Sequence, residues 1–185
     1  MIENKKKFRE NCIDFLYKAQ KYNKKKLNSF VLNYLKNYFK TISNRSILVY
    51  NPFGFEVDIS SLIPLLKRNK NKVYSPFMVG QSFKMVNYRL PLFKAKFGIK
   101  QSKNSFKDIK KINYAIVPVV GIDGNYKRIG FGKGMYDRFF AKLKSKPIII
   151  FVQLDYCFTK TIVSEVFDIQ ADIVVAGKYN KIIRK

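Results

Sequence analysis

Neither histidine nor tryptophan occurs in this 185-residue chain, and cysteine appears only twice. The first absence removes a histidine general base and the common zinc sites. Any chemistry must therefore run on carboxylates, Lys, Arg, Tyr and the backbone. Cys12 and Cys157 are too few and too isolated to read as a disulfide framework or a metal site. Acidic residues are scarce, 12 against 37 Lys and Arg. No apolar run reaches the roughly 18 to 20 residues of a membrane span. The N-terminus, Met1-Ile-Glu-Asn-Lys-Lys-Lys, is basic but lacks the apolar core of a signal peptide. A soluble, cytoplasmic protein is expected.

What is present is enough for one full-sized domain: 47% of the residues are hydrophobic, which excludes wholesale disorder. The net charge of +25 points toward polyanions. Yet only seven of the 37 basic residues are Arg, the side chain best suited to bidentate phosphate and base contacts. The Lys excess travels with abundant Asn, Ile, Phe and Tyr, a mixture that A/T-rich coding produces by itself. Solvated Lys is the preferred reading, with a monomer and no specific nucleic-acid partner expected.

Residues 3–40 read as helix, with Phe8, Cys12, Phe15 and Leu16, then Leu27, Val31, Leu35 and Phe39 at helical spacing. The polar run Lys21–Lys26 marks a break between two helices. Short apolar runs at 46–50, 71–76, 83–88, 112–120, 147–152 and 172–176 read as strands, the last being the final one. Helices are expected from Asp58, as N-cap, through Leu66, and at Tyr136–Leu143. Residues 94–110 read as loop or short helix. Strands alternating with helices make an α/β fold, a single three-layer α/β/α domain over 1–185 with a largely parallel, Rossmann-like sheet.

Five of the nine glycines fall between residues 121 and 134. Gly130, Gly132 and Gly134 alternate there with Phe131 and Lys133, among the cations Lys127, Arg128 and Arg138, and lead into Tyr136 and Asp137. The spacing is neither the dinucleotide fingerprint nor the P-loop. A turn joining strand to helix would need neither the cations nor the carboxylate. Backbone donors, fixed positive charge and one carboxylate suit a phosphate with its metal ion.

Arg128-Ile-Gly-Phe-Gly-Lys-Gly-Met-Tyr-Asp-Arg138, preceded by Val117-Pro118 and Asp123, resembles the signature of the 5-formyltetrahydrofolate cyclo-ligase family, also called methenyltetrahydrofolate synthetases. Other matches occur in order. Lys5-Lys-Lys-Phe8-Arg9 is similar to an N-terminal Lys-x-x-Leu-Arg, and i, i+4 spacing puts Lys5 and Arg9 on one helix face. Phe55-Glu56-Val57-Asp58, Pro76 with Met85, Phe97-Gly-Ile-Lys-Gln101, and Glu165 to Asp172 resemble further family segments.

The resemblance implies ATP- and magnesium-dependent cyclisation of 5-formyltetrahydrofolate to 5,10-methenyltetrahydrofolate, with release of ADP and phosphate. It implies that Lys5, Arg9, Arg128, Gly130, Phe131, Gly132, Lys133, Gly134, Met135, Tyr136 and Asp137 bind ATP. Asp137 and Asp168 would hold magnesium. Glu56, Met85, Phe97 and Tyr136 would line the folate side, with Arg128, Lys133 and Tyr136 catalytic. The chain departs from the pattern at Gln101, Ser102, Ile122, Tyr126 (for Gly), Met135 (for Tyr), Val163, Phe167 (for His) and Gly177. A member that binds without turnover, and a basic nucleic-acid-binding module, are the rival readings.

Overall fold

The computed structural model describes residues 4–94, 98, 100–105, 109 and 111–183. It opens with α1 (Lys5–Phe39), capped by the Asn4 side chain, which accepts from the Lys7 amide at 2.8 Å. The expected break at residues 21–26 does not occur. Lys is a good helix former, an exposed Asn costs only a few tenths of a kcal/mol, and no Gly or Pro interrupts the run. β1 (Ser46–Leu48) follows, then a 3₁₀ turn (Ser60–Leu62) running into α2 (Ile63–Arg68), with Pro64 in its first turn. The expected N-cap at Asp58 is displaced by one residue: Ile59 holds the N-cap position without a side-chain bond, and Asp58, just before it, accepts from the Ser60 amide at 2.9 Å. The hairpin β2 (Lys72–Val79) and β3 (Ser82–Asn87) and the small pair β4 (Phe93–Lys94) and β5 (Lys100–Gln101) complete the first half.

The second half runs β6 (Tyr114–Pro118), β7 (Gly121–Ile122), β8 (Arg128–Ile129), α3 (Met135–Ala141), β9 (Ile148–Gln153), β10 (Ile173–Ala176) and β11 (Tyr179–Ile182). The seven-stranded sheet has the order β11-β10-β9-β6-β1-β2-β3, parallel throughout except for β3 and β11 at its edges. β11 was not expected. Its residues are mostly exposed and polar, so the apolar signal of a buried strand is missing. Inner strands alternate between two cores, as the strand period of two requires. Ile47, Ile116, Ile150 and Val175 pack under α1 and α2, whereas Leu48, Val117, Phe151 and Val174 pack with Phe139 of α3. This is the expected three-layer α/β/α arrangement. Among the described residues no helix is long and apolar enough to cross a membrane.

One further finding corrects the sequence reading and another adds to it. Cys12 and Cys157 form a disulfide: 145 positions separate them, but α1 crosses the loop after β9 and brings their Cα atoms within 5.7 Å. The glycine segment also does not follow β6 at once. The β7–β8 hairpin intervenes, turning on Asp123, which is fully buried. Asp123 Oδ1 accepts from the amides of Asn125 and Lys127 (3.1 and 3.0 Å), and Oδ2 from those of Val163 and Ser164 (3.2 and 3.0 Å). One carboxylate thus ties the hairpin to the segment leading to Asp168. Tyr126, where the family pattern has Gly, takes φ +54°, a conformation that explains the Gly and that a non-glycine adopts at some cost.

Replacing Asp123 by Ala would leave four part-buried amides without their acceptor. Urea unfolding is expected to show a loss of roughly 3–5 kcal/mol, with Asp123→Asn intermediate.

Candidate functional site

The glycine segment lies beyond the carboxyl end of β6, where open α/β sheets bind ligands. Arg128 is its fixed point. The guanidinium is buried, donates from Nε to the Pro118 carbonyl (3.1 Å), and stands 4.8 Å from the Tyr136 ring centroid. Its NH1 is 4.0 Å from Asp137 Oδ2. The arginine doubles back over Gly130, where any Cβ would collide with the guanidinium. Gly132 and Gly134 take φ of +87° and +58°, turning the chain around the exposed Lys133. Arg138 anchors the far end, donating to the carbonyls of Gln81, in the β2–β3 turn, and Lys133.

Two cavities share this loop. The smaller, of about 290 Å³, is lined by Lys5, Arg9, Arg128, Lys133, Asp137 and Asp168, among others. The four cations expected to gather around one site do so. Besides Arg128, two more of them are already engaged: Arg9 Nε donates to the Gly130 carbonyl at 2.8 Å, and Lys5 Nζ pairs with Glu165 (2.8 Å) and Asp168 (2.5 Å). Burial disfavours the Lys5 ammonium, but its bonds to Asp168 and Glu165 outweigh this and raise its pKa. Asp137 and Asp168 come from α3 and from the segment before β10, and both face this cavity.

The larger cavity, about 770 Å³, is walled by β2, the β2–β3 turn, residues 50–56 and the other side of the glycine loop. Phe53, Pro76, Met78, Phe83, Phe131 and Tyr136 give it an apolar, aromatic lining. Glu56 supplies a carboxylate, which accepts from the Phe53 amide at 2.9 Å. Burial pushes its pKa up from 4.5 to about 7, although the Phe53 hydrogen bond and the Arg128 charge pull the other way. Burial and the nearby Glu56 likewise raise the Tyr136 phenol, against the opposing pull of Arg128. Phe131 stacks on Phe55 at 5.5 Å, so this member of the expected ATP set faces the larger cavity instead. Met135 lines the larger cavity as well.

Met85 is corrected. It is 3% exposed and packs in the core with Phe83 and Phe139, beside the cavity rather than in its wall. Met78, two residues along β2 from Met85's partner Pro76, lines the cavity in its place. Phe97 lies outside the described residues. Sequence reasoning passed over Gln81, Phe53 and Phe83. The last two carried a signal, as aromatics one residue before Gly54 and two before Met85, but core packing explained them equally well.

The sequence profile of the 5-formyltetrahydrofolate cyclo-ligase family matches residues 1–177. Similar proteins include the 5-formyltetrahydrofolate cyclo-ligases of Mycoplasma pneumoniae, 28% identical over 71% of this chain and 72% of that one, and Mycoplasma genitalium, 27% identical over 72% and 73%. The fold is similar to the solution structure of Aquifex aeolicus 5,10-methenyltetrahydrofolate synthetase (TM-score 0.76, 24% identity, 98% of this chain and 93% of that one). It is also similar to the M. pneumoniae 5,10-methenyltetrahydrofolate synthetase (TM-score 0.74, 20% identity, 94% and 98%).

A carboxyl whose pKa is raised on folding stabilises the fold most while protonated. The Glu56 contribution should be full below pH 4.5 and fall away as pH rises through about 7. Carbon-detected NMR of Glu56 should titrate near 7, and Glu56→Gln should flatten the decline in urea-unfolding stability across that window.

Proposed function

The chain belongs to the 5-formyltetrahydrofolate cyclo-ligase family, and from that premise we propose that it uses ATP and magnesium to close 5-formyltetrahydrofolate to 5,10-methenyltetrahydrofolate. The observation that carries this reading is the loop shared by two unlike cavities. Gly132, Lys133 and Gly134 wall both the aromatic cavity, which suits a pterin and its aryl group, and the cationic one, which suits phosphates. A nucleotide and a folate would meet across Arg128.

The formyl oxygen of the substrate is amide-like and leaves poorly. Transfer of the γ-phosphoryl group of ATP to that oxygen releases ADP and makes it a leaving group. N10 then attacks the formyl carbon, the ring closes, the C–O bond breaks, and phosphate departs with the N10 proton. Such a transfer asks the protein for position and charge neutralisation rather than for a histidine. Arg128 and Lys133 lie where they can neutralise the transferred group, and Arg9 holds the loop by its Gly130 carbonyl. Glu56 can accept from the pterin on the folate side, and the Tyr136 ring packs between that side and Arg128.

Asp137 and Asp168 offer hard oxygen donors on one cavity, which fits an ion that takes one or two carboxylates and completes its shell with phosphates and water. Among the described residues no cluster of three or more His, Cys, Asp or Glu forms a protein cage. When bound, magnesium would offset the charge of the phosphate oxygens. A monomeric, cytoplasmic enzyme whose charge needs no nucleic-acid partner completes the reading.

Turnover of 5-formyltetrahydrofolate, followed by the near-ultraviolet absorbance of the methenyl product, should require ATP. Lys133→Ala, an exposed position, should lower kcat/KM for ATP about 100-fold. Arg128→Ala and Gly132→Asp should abolish product formation, and wild-type rates in both would refute the site.

A further inference from the structure

We propose that Phe167 is the platform for the base of the bound nucleotide, held by its face and not read at its edge, so that several purine nucleoside triphosphates serve this protein. The proposal rests on the reading of the smaller cavity as a nucleotide site.

Among the described residues that line this cavity, Phe167 is the one with an apolar side chain; the others are charged residues and glycines. At about 290 Å³ the space is near the lower bound of roughly 300 Å³ for small-molecule pockets. It can take the phosphates, and the nucleoside must continue over its rim. Phe167 stands there, 67% exposed, beside Val166 at 95%. Lone exposed apolar residues are ordinary, but Phe167 lines a cationic cavity and follows another exposed apolar residue. Neither belongs to either hydrophobic core, so packing gives them no task.

The turn that carries them is nonetheless pinned. The Glu165 amide donates to Asp168 Oδ2 at 2.7 Å, and the Asp168 amide to the Glu165 carbonyl at 3.2 Å. Lys127 Nζ donates to the carbonyls of Glu165 (2.7 Å) and Val166 (3.1 Å). An aromatic ring that is open to solvent on a fastened backbone is preorganised for stacking. The Lys5 ammonium lies over one face of the ring, 5.6 Å from its centroid, so the base would stack on the opposite face. A phenyl ring has no donor or acceptor with which to tell one purine from another. The nearest carboxylates, Glu165 and Asp168, are engaged by Lys5. Stacking area then sets the ranking, purines above pyrimidines.

The test compares the wild type with Phe167→Ala, Phe167→Leu and Phe167→Trp. The wild type should use ATP, GTP and ITP with kcat/KM values within about tenfold of one another, and CTP and UTP less well. Phe167→Ala and Phe167→Leu should raise KM for ATP about tenfold with kcat unchanged, and Phe167→Trp should restore it. The inhibition constant of inorganic tripolyphosphate, which has no base, should not move. An unchanged KM in Phe167→Ala, an equal shift for tripolyphosphate, or preference for ATP over GTP beyond about 100-fold would each overturn the proposal. If the wild type shows no turnover, the cyclo-ligase reading fails; calorimetric dissociation constants for ATP, GTP and tripolyphosphate then decide the stacking proposal by the same comparisons.

Discussion

A buried guanidinium organises this molecule. Removing Arg128 from water costs several kcal/mol, and the surroundings answer with a carbonyl, a carboxylate and an aromatic face. The neighbouring sequence follows from that placement. Gly130 is glycine because the side chain of Arg128 folds back over it. Tyr136 and Asp137, on the first turn of α3, are the ring and the charge that the cation faces. The same group belongs to both cavity walls, so the two chambers share one electrostatic element.

The few carboxylates of so basic a chain are placed with economy. Asp123 captures four backbone amides, while Glu165 and Asp168 hold Lys5. Acids that fasten the backbone and the outer cation leave Arg128 and Lys133 facing the cavity, which stays positive although carboxylates surround it. A chain with more acidic residues could neutralise its own site.

The fold was largely legible in the sequence wherever a pattern has a single physical cause. Strands buried on both faces, such as Tyr114–Pro118 and Ile148–Gln153, stand out as unbroken apolar runs. The glycine loop stood out because its cations and carboxylate exceed what a turn needs. Illegible features depend on partners distant in the chain. Nothing local marks Cys12 as bonded to Cys157, Lys5 as held by Asp168, or Asp123 as a staple for Val163 and Ser164. The edge strand Tyr179–Ile182 was missed because solvent, not a core, faces most of it. Phe131 was placed with the nucleotide by its neighbours in sequence, whereas its ring turns to Phe55.

The link between Cys12 and Cys157 has a topological side. It closes most of the polypeptide into a covalent ring and leaves two short tails. Lys5 and Arg9 lie on one tail, Glu165 and Asp168 on the other, and the tails are stitched to each other by the Lys5 ion pairs. The smaller, cationic cavity thus sits where these two segments are tied together. A cut anywhere within the ring would leave one linked molecule, with that pair of tails still joined at its root.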